Sequence, residues 1–348
     1  MIQIRGRKIG AGSPSYIIAE VAQAHDGSLG AAHAFIDLAA DAGADAIKFQ
    51  THFAEAESTR DEPFRIKFTT QDETRFDYWK RMEFTEAQWE ELATHAEQRK
   101  ITFLSSAFSQ RAIDLLTRLN MPAWKIASGE VWNTQFIESM KNTGNPILLS
   151  TGMANWQEIT DAINTIRHPN LDYPLGIFQC TSMYPTPLTH VGLNVLSEIS
   201  SRFQTVNGLS DHTGSTSSPM AAIAMGADMI EVHIALHERQ FGPDTVASLI
   251  PSQLKSLCRF RDDVHSMQSS PVDKDAMAAE LGKVRSLFSR SIALVSSRSA
   301  GDVLQREDLT TKKPGSGIPA SRLEELIGKT LAVDVSSERL LRIEDLMD

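Results

Sequence analysis

Short apolar runs recur along the first three-quarters of the chain, and a polar residue ends or directly follows each run. The segments between most of these runs carry apolar residues at helical spacing, which is typical of strands that alternate with helices. The predicted strands are 16–20, 46–50, 102–106, 124–127, 147–150, 175–179, 205–209 and 229–233. Eight such units predict an α/β fold, a closed (β/α)8 barrel of the TIM type, whose chemistry takes place at the carboxyl ends of the strands.

The hydrophobic pattern changes near residue 266, so we predict a barrel domain over residues 1–266. Residues 267–287 are polar, contain Pro271 and then a helical stretch, and are interpreted as a linker. From 288 to 348 short alternating runs are broken by turn signals, which predicts a small β-rich domain.

The second connection of the barrel, 51–100, is unusually long and carries an aromatic and charged segment. A long insertion after a barrel strand lies on the active-site face. Two interpretations remain open here, a lid over the site and a surface elaboration without a role.

Composition excludes several classes of function. The formal net charge is -10, with 44 acidic and 34 basic residues, whereas nucleic-acid binding requires clustered Lys and Arg. Cys180 and Cys258 have no metal-type spacing, the N-terminus lacks the apolar stretch of a signal peptide, and no apolar run is long enough to cross a bilayer. We expect a cytoplasmic protein without membrane contact. No glycine-rich phosphate loop follows a strand, so no nucleotide cofactor is expected.

Two lysines at the ends of predicted strands are candidates for binding an anion. Lys48 lies two residues before Gln50, so both project to one side of the second strand, and Lys125 closes the fourth. Two ammonium groups that face one barrel interior repel each other unless an anion lies between them. Hydroxyl groups at other strand ends would complete such a site, and they belong to Ser106, Ser128, Ser150 and Ser210. A phosphate or carboxylate ligand is therefore predicted.

Two histidines, His212 and His233, follow or end the last two strands. Adjacent strands can bring the imidazoles together, and a pair whose remaining positions are filled by water and substrate oxygen suits a divalent cation. Mn2+ is the favoured ion and Mg2+ the alternative. From the residues alone, a structural role for the pair is equally compatible.

Four acids are candidates for proton transfer or for binding sugar hydroxyls: Glu20, Glu130, Glu231 and Asp244. Glu20 and Glu130 are the favoured pair, because their positions on a strand or at a strand end fix them.

Several runs of the chain resemble the sialic acid synthase family. The most specific are Lys-Ile-Ala-Ser-Gly-Glu at 125–130, Cys-Thr-Ser-Met-Tyr-Pro-Thr-Pro at 180–187 and Gly-Leu-Ser-Asp-His-Thr at 208–213. Matching segments cover nearly the whole chain in family order. The resemblance implies that phosphoenolpyruvate and an amino sugar condense to a nine-carbon nonulosonic acid. It also implies that the C-terminal domain is an antifreeze-like (SAF) domain.

The resemblance carries over to single residues. Phosphoenolpyruvate would be bound by Lys48, Ser106, Lys125, Ser128, Ser150, Ser182 and Ser210. The sugar would contact Glu20, Gln50, Glu130, Tyr184, Asp244 and position 313. His212 and His233 would bind the metal, and the expected catalytic residues are Glu20, Lys48, Lys125 and Glu130. Family members pair as dimers in which the SAF domain of one chain covers the barrel of the other.

Three positions depart from the family pattern. Lys313 stands where the family has an arginine for the sugar's acetamido group, and lysine cannot make the planar two-pronged contact of a guanidinium. Ala22 and Ala24 stand where glycine and asparagine are common. We therefore expect an altered sugar pocket, either for N-acetylmannosamine or for a 2,4-diacetamido-trideoxyhexose of the legionaminic or pseudaminic type.

Two other functions are compatible with the same fold. A Schiff-base aldolase or lyase would use Lys125 or Lys48 as a nucleophile and would keep its activity without a metal. A non-catalytic carbohydrate-binding protein would be expected to lose the lysines or the histidine pair, and both are present as residue types.

Overall fold

The chain divides into two compact units, Met1–Ser269 and Ser270–Asp348. The computed structural model describes residues 1–68 and 71–347. The first unit ends at Ser269 rather than at 266, because its last helix continues to Gln268.

The first unit is a closed barrel of eight parallel strands, which confirms the predicted TIM barrel. A short antiparallel hairpin of β1 (Ile2–Ile4) and β2 (Arg7–Ile9) precedes it. The barrel strands are β3 (Tyr16–Ala22), β4 (Ala46–Thr51), β5 (Thr102–Ala107), β6 (Trp124–Ile126), β7 (Ile147–Ser150), β8 (Leu175–Cys180), β9 (Val206–Asp211) and β10 (Met229–His233). They pair in chain order, and β10 closes the barrel against β3.

Most helices of the first unit cover the outside of the barrel: α1 (Leu29–Ala42), α4 (Glu86–Gln98), α5 (Gln110–Arg118), α6 (Thr134–Lys141), α7 (Trp156–Arg167), α8 (Leu193–Phe203), α9 (Ser217–Ala224) and α10 (Pro251–Gln268). The second connection adds α2 (Ala54–Glu57) and α3 (Arg75–Met82). Polar side chains cap several of these helices at the amino-terminal end. In α7 the Asn155 side chain accepts hydrogen bonds from first-turn amides, and the Glu158 carboxylate accepts one from the Asn155 amide. Across residues 1–68 and 71–347, no helix combines the length and apolar character that a bilayer span requires.

The seventh barrel strand is longer than the sequence predicted. We expected it to end at 209, but β9 continues through Ser210 to Asp211. The reason is the closed ladder, in which Ser210 pairs with Glu231 and Asp211 with Val232 of β10. Ser210 and Asp211, which follow the predicted strand, therefore belong to the sheet.

Asp45, at the amino-terminal end of β4, ties three parts of the barrel together. Its carboxylate accepts hydrogen bonds from the Ile17 amide of β3 (2.8 Å) and from Arg261 Nη1 of α10 (2.8 Å), and it pairs with Arg7 of β2. The side chains of Asp45 and Arg261 are 5% and 7% exposed. Burial raises the pKa of Asp45 even though both arginines act in the opposite direction.

The second unit has a small core of its own. Within residues 267–287, interpreted as a linker, lie α11 (Lys274–Glu280) and most of α12 (Gly282–Phe288). Beyond them β11 (Ser291–Leu294) pairs antiparallel with β12 (Leu309–Lys312). The buried hydrophobic cluster of the second unit consists of Ile292, Leu294, Leu304, Leu309, Ile318, Leu326, Leu331, Val335 and Leu341. Short antiparallel strands on this apolar cluster agree with the predicted β-rich domain.

Replacing Asp45 with alanine should lower the free energy of unfolding of the barrel by about 3 kcal/mol, because the buried Arg261 loses this ion pair and is left with Asp262 and the Gly43 carbonyl. Urea unfolding followed by circular dichroism measures this. Asp41→Ala is the matched control, since the Asp41 side chain is 74% exposed and pairs with Arg99 at the surface; an exposed pair contributes about 1 kcal/mol or less. Equal losses in the two variants would contradict the role of Asp45.

Candidate active site

A cavity of about 540 Å3 opens at the carboxyl ends of the barrel strands. It is lined by every site residue predicted within the barrel: Glu20, Lys48, Gln50, Ser106, Lys125, Ser128, Glu130, Ser150, Ser182, Tyr184, Ser210, His212, His233 and Asp244. The ladder register brings them together, because Glu20 pairs with both Lys48 and His233 across neighbouring strands. Strand ends that are distant in sequence therefore form one ring.

Two lysines and two carboxylates form a buried cluster at the base of this cavity. Lys48 Nζ lies 2.8 Å from Glu20 Oε2 and 3.8 Å from Glu231 Oε2, and Lys125 Nζ lies 3.4 Å from Glu231 Oε1. Glu231, a carboxylate of the protein itself, lies beside both lysines, and the predicted phosphate or carboxylate ligand stays a prediction. Glu231 was one of four candidate acids, but the sequence favoured Glu20 and Glu130, because ion pairs from β10 to β4 and β6 leave no signal in the chain.

Burial and pairing shift the pKa values of this cluster in opposite directions. Burial raises the pKa of Glu20 to about 7, although Lys48 acts against it. Burial also acts to raise the pKa of Glu231, but Lys125 and Lys48 outweigh it and hold that pKa below its usual value. Burial lowers the pKa of Lys125. The raised pKa of Glu20 and the lowered pKa of Lys125 share one cause, the cost of holding a charge away from water.

Serine hydroxyls surround the two ammonium groups. Lys125 Nζ donates to Ser150 Oγ (2.5 Å), Lys48 Nζ donates to Ser106 Oγ (3.3 Å), and Ser210 Oγ donates to Glu231 (3.2 Å). These contacts agree with the predicted combination of lysines and hydroxyls at an anion site.

Gly152 allows further polar atoms to crowd beside this site. Its amide donates to Ser128 Oγ at 3.0 Å. A Cβ atom at Gly152 would lie 2.7 Å from Ser128 Oγ and 2.9 Å from Cys180 Sγ, and it would also overlap Ser182. Cys180 is a lining residue that the sequence analysis did not select, since a single cysteine at a strand end gives no signal.

The two predicted imidazoles are neighbours, with ring centroids 5.1 Å apart. His212 Nδ1 lies 2.9 Å from the Thr181 carbonyl oxygen, so Nδ1 is the donor, and Nε2 is the nitrogen left for another partner. Burial acts to lower the pKa of His212, but its contacts with Cys180 and the Thr181 carbonyl outweigh burial and raise that pKa. Burial and His212 hold the pKa of His233 well below its usual value, which favours the neutral ring. Among residues 1–68 and 71–347 no cluster of three or more His, Cys, Asp or Glu side chains suits a metal. Two imidazoles alone would leave the other positions of a divalent ion to water or substrate.

A second group of polar residues lies further out in the cavity. Gln50 Nε2 donates to Glu20 Oε1 at 2.8 Å, and the Tyr184 ring stacks on His212 with centroids 4.2 Å apart. Asp244 accepts a hydrogen bond from Arg65 Nη2 at 2.8 Å, and the Arg65 guanidinium lies 4.3 Å from the Tyr184 ring centroid. Arg65 comes from the second connection, so this insertion contributes to the cavity wall.

Two predicted sugar contacts differ in their setting. Glu130 lines the cavity half-buried, and its Oε2 accepts a hydrogen bond from Asn133 Nδ2 (3.0 Å) on the same turn. Lys313 lies exposed in the second unit, with Nζ 5.1 Å from the Phe288 ring centroid.

The departures at positions 22 and 24 lie where β3 leaves the barrel. Ala22 is buried with φ of +47°, a left-handed conformation, and the register of β3 against β4 shifts between Glu20 and Ala22. Glycine adopts this conformation without the cost that a Cβ imposes, which explains a glycine preference there. The Ala24 carbonyl accepts a hydrogen bond from Gln240 Nε2.

Comparison with known proteins shows the family of this chain. The model of the NeuB family matches residues 35–272, and the SAF domain matches residues 290–347. N,N'-diacetyllegionaminic acid synthase of Campylobacter jejuni is 33% identical over 330 residues, 94% of this chain and 98% of the relative. Human N-acetylneuraminate-9-phosphate synthase is 31% identical over 99% of this chain and 95% of its own length.

A solved structure has the same fold. The crystal structure of N-acetylneuraminic acid (sialic acid) synthetase from Leptospira borgpetersenii, in complex with citrate, superposes with a TM-score of 0.71 at 27% identity. It covers 82% of this chain and 95% of the other. The barrel, the C-terminal domain and nearly full-length similarity lead to one conclusion: the chain belongs to the NeuB family.

Proposed function

We propose that this protein condenses phosphoenolpyruvate with the open-chain form of an N-acylated amino sugar to give a nonulosonic acid and phosphate. The observation that carries the proposal is the pair of buried ammonium groups, Lys48 and Lys125, with serine hydroxyls beside them and two imidazoles in the same cavity. Relatives named as legionaminic acid and N-acetylneuraminate-9-phosphate synthases support this class of product.

Phosphoenolpyruvate fits the lysine end of the cavity on charge grounds. Lys48 and Lys125 place two donors in one part of the cavity, and burial raises the pKa of Glu20, which weakens its competition with a substrate anion for Lys48. An anion would also favour the charged form of Lys125, whose pKa burial lowers. Ser106 and Ser150 already contact the two ammonium groups and would donate to phosphate or carboxylate oxygens.

His212 and His233 would hold a divalent ion, for which we favour Mn2+ over Mg2+ because imidazole suits the softer ion. Such an ion supplies Lewis-acid polarisation of a carbonyl oxygen. The chain's own contribution is orientation: the Thr181 carbonyl fixes the His212 ring, and Tyr184 packs against both imidazoles.

In the proposed reaction, C3 of phosphoenolpyruvate forms a bond to the aldehyde carbon of the sugar. Water adds to C2, and the tetrahedral intermediate breaks its C2–O bond to release phosphate. Lys48, Lys125 and the serines stabilise the charge of the departing phosphate. Burial of the cluster places these donors in position before the reaction and limits competing water.

A Schiff-base mechanism is the second candidate, because burial lowers the pKa of Lys125 and so favours the free amine that such a nucleophile requires. Against it, Lys125 pairs with Glu231 and donates to Ser150. This candidate predicts that borohydride traps substrate on a lysine and that chelation has no effect.

We also propose that the protein forms a homodimer in which the SAF domain of one chain covers the barrel of the other. The exposed position of Lys313 in the second unit agrees with a contact to a partner's sugar. The resemblance to the sialic acid synthase family implies this arrangement.

The purified protein should release phosphate only when phosphoenolpyruvate, an N-acylated amino sugar and Mn2+ are all present. The first two are the substrates, and the metal ion would polarise the sugar aldehyde. Phosphate release across a panel of 2-acetamido sugars, with and without EDTA, measures this. Release that continues in EDTA, together with a lysine adduct after borohydride treatment, would select the Schiff-base mechanism instead.

Lys125→Met should raise the KM for phosphoenolpyruvate about ten- to hundredfold, because it removes a charge-assisted hydrogen bond worth about 1.5 to 3 kcal/mol. Steady-state kinetics with each substrate varied in turn measures this, and the KM for the sugar should change much less. Lys255→Met, on the exposed face of α10, is the matched control. Ser150→Ala keeps the lysine and tests the same site if Lys125→Met is unstable. An unchanged KM for phosphoenolpyruvate in both variants would show that phosphoenolpyruvate binds elsewhere.

Lys313→Arg should change the ranking of acceptors in favour of 2-acetamido hexoses, because a guanidinium can bind the acetamido oxygen in a planar fork. Values of kcat/KM over the acceptor panel measure the ranking. Lys329→Arg replaces another exposed lysine of the second unit and should leave it unchanged. The same ranking in Lys313→Arg and wild type would remove position 313 from sugar recognition.

A further inference from the structure

The buried His52 side chain, which directly follows β4, is held on both faces and at one edge. Its ring lies between the rings of Trp79 and Phe108, with centroids 4.1 Å and 4.5 Å away and interplanar angles of 18° and 11°. Its Nδ1 lies 2.6 Å from Oε1 of Glu57, the last residue of α2. Stacking fixes the plane of the ring, and the carboxylate fixes its rotation within that plane.

The other ring nitrogen faces a side chain of the barrel. His52 Nε2 lies 3.2 Å from Gln50 Oε1, and Gln23 Nε2, just after β3, donates to the same oxygen at 3.2 Å. A carbonyl oxygen has two lone pairs and can accept from both. Because Nδ1 faces a carboxylate and Nε2 a carbonyl oxygen, a ring that donates from both nitrogens suits this position, and Glu57 balances its charge.

These contacts decide which way the Gln50 amide faces. Gln50 Nε2 donates to Glu20 Oε1 at 2.8 Å, and Glu20 Oε2 pairs with Lys48. A reversed amide would place the Gln50 oxygen against the Glu20 carboxylate and its NH2 group against the donors of Gln23 and His52. The observed direction therefore satisfies all four side chains of the network, and the reversed one conflicts with them.

The direction of this amide matters because Gln50 and Glu20 both line the cavity, where the resemblance implies contact with the sugar. A Gln50 side chain free to turn would meet an acceptor with its oxygen in some molecules and its NH2 group in others. It would also leave Glu20 without a constant hydrogen-bond donor. A site that holds its polar groups in one direction before binding avoids this cost.

We infer that His52 is a positioning residue for the acceptor end of the site: together with Gln23 it holds the Gln50 amide with the NH2 group toward Glu20. The inference rests on the proposed condensation, which makes Gln50 and Glu20 acceptor contacts. His52 itself need not touch a substrate, since it acts through Gln50.

Two substitutions separate the hydrogen bonds of His52 from its packing. His52→Phe keeps a ring between Trp79 and Phe108 but removes the donors, and should lower kcat/KM for the most active 2-acetamido hexose about three- to tenfold, as expected for one hydrogen bond. His52→Gln loses the ring but can place an amide N–H near Nε2, and should retain more activity. The KM for phosphoenolpyruvate should change little in both. The opposite order of the two variants would show that the ring serves packing alone.

A double-mutant cycle tests whether His52 acts through Gln50. In a Gln50→Ala background, His52→Phe should cause almost no further loss of kcat/KM, because the amide it orients is absent. Losses that multiply in the double variant would overturn the inference. His33→Phe is the matched control, since His33 also lies beside a carboxylate, 3.1 Å from Glu91, but on the outer side of the barrel. It should behave as wild type.

NMR of 15N-labelled histidine gives a readout that does not depend on the reaction. The His52 signals are identified by their absence in His52→Phe, and Gln50→Ala should shift the Nε2 resonance of His52 but not that of His33. An unshifted resonance would overturn the inference. A shifted resonance in a protein that releases no phosphate would support the contact and reject the proposed condensation.

Gln23→Leu tests the same arrangement if His52→Phe does not fold, because it removes the second donor to Gln50 and leaves the pair of His52 and Glu57 intact. It should lower kcat/KM for the same hexose, again with little change in the KM for phosphoenolpyruvate. Wild-type kinetics in Gln23→Leu would show that the Gln50 amide needs no such support.

Discussion

The buried pairing of Lys48 and Lys125 with Glu20 and Glu231 is the constraint on which the site depends. Charges removed from water are tolerated only when partners and hydrogen bonds compensate for lost hydration. Glu231 pairs with both lysines, whereas burial raises the pKa of Glu20 and makes it the weaker counterion. The protein thus holds two lysines inside a barrel with one strong carboxylate partner, and an anionic ligand can add to the charge balance.

Barrel closure makes this arrangement possible. Pairing of β10 with β3 sets His233 opposite Glu20, and pairing of β9 with β10 sets Ser210 opposite Glu231. Residues from both ends of the barrel sequence thus meet within one layer of side chains. Because α-helices and the buried Asp45 network fix the strands from outside and below, the layer is positioned by the rigid part of the molecule.

The second connection gives the cavity its distinct outer end. Its aromatic and charged composition left two interpretations open, and the contacts of Arg65, His52 and Glu57 favour a part in forming the site over a surface elaboration. The inner end provides charge and hydroxyl groups for a small anion, whereas the outer end provides flat apolar surface and acids. Such a division suits two substrates of different polarity that meet between the ends.

The strands, the barrel and the polar residues at the strand ends could be predicted from the sequence, because strand ends in a parallel barrel share one face and the period of two fixes which side chains point inward. Which charged groups pair with each other became visible only in the folded barrel. Glu231 was one of four candidate acids, and nothing in the sequence showed that it pairs with both lysines. This pairing joins distant segments of the chain, and contacts between distant segments leave no local pattern in a sequence.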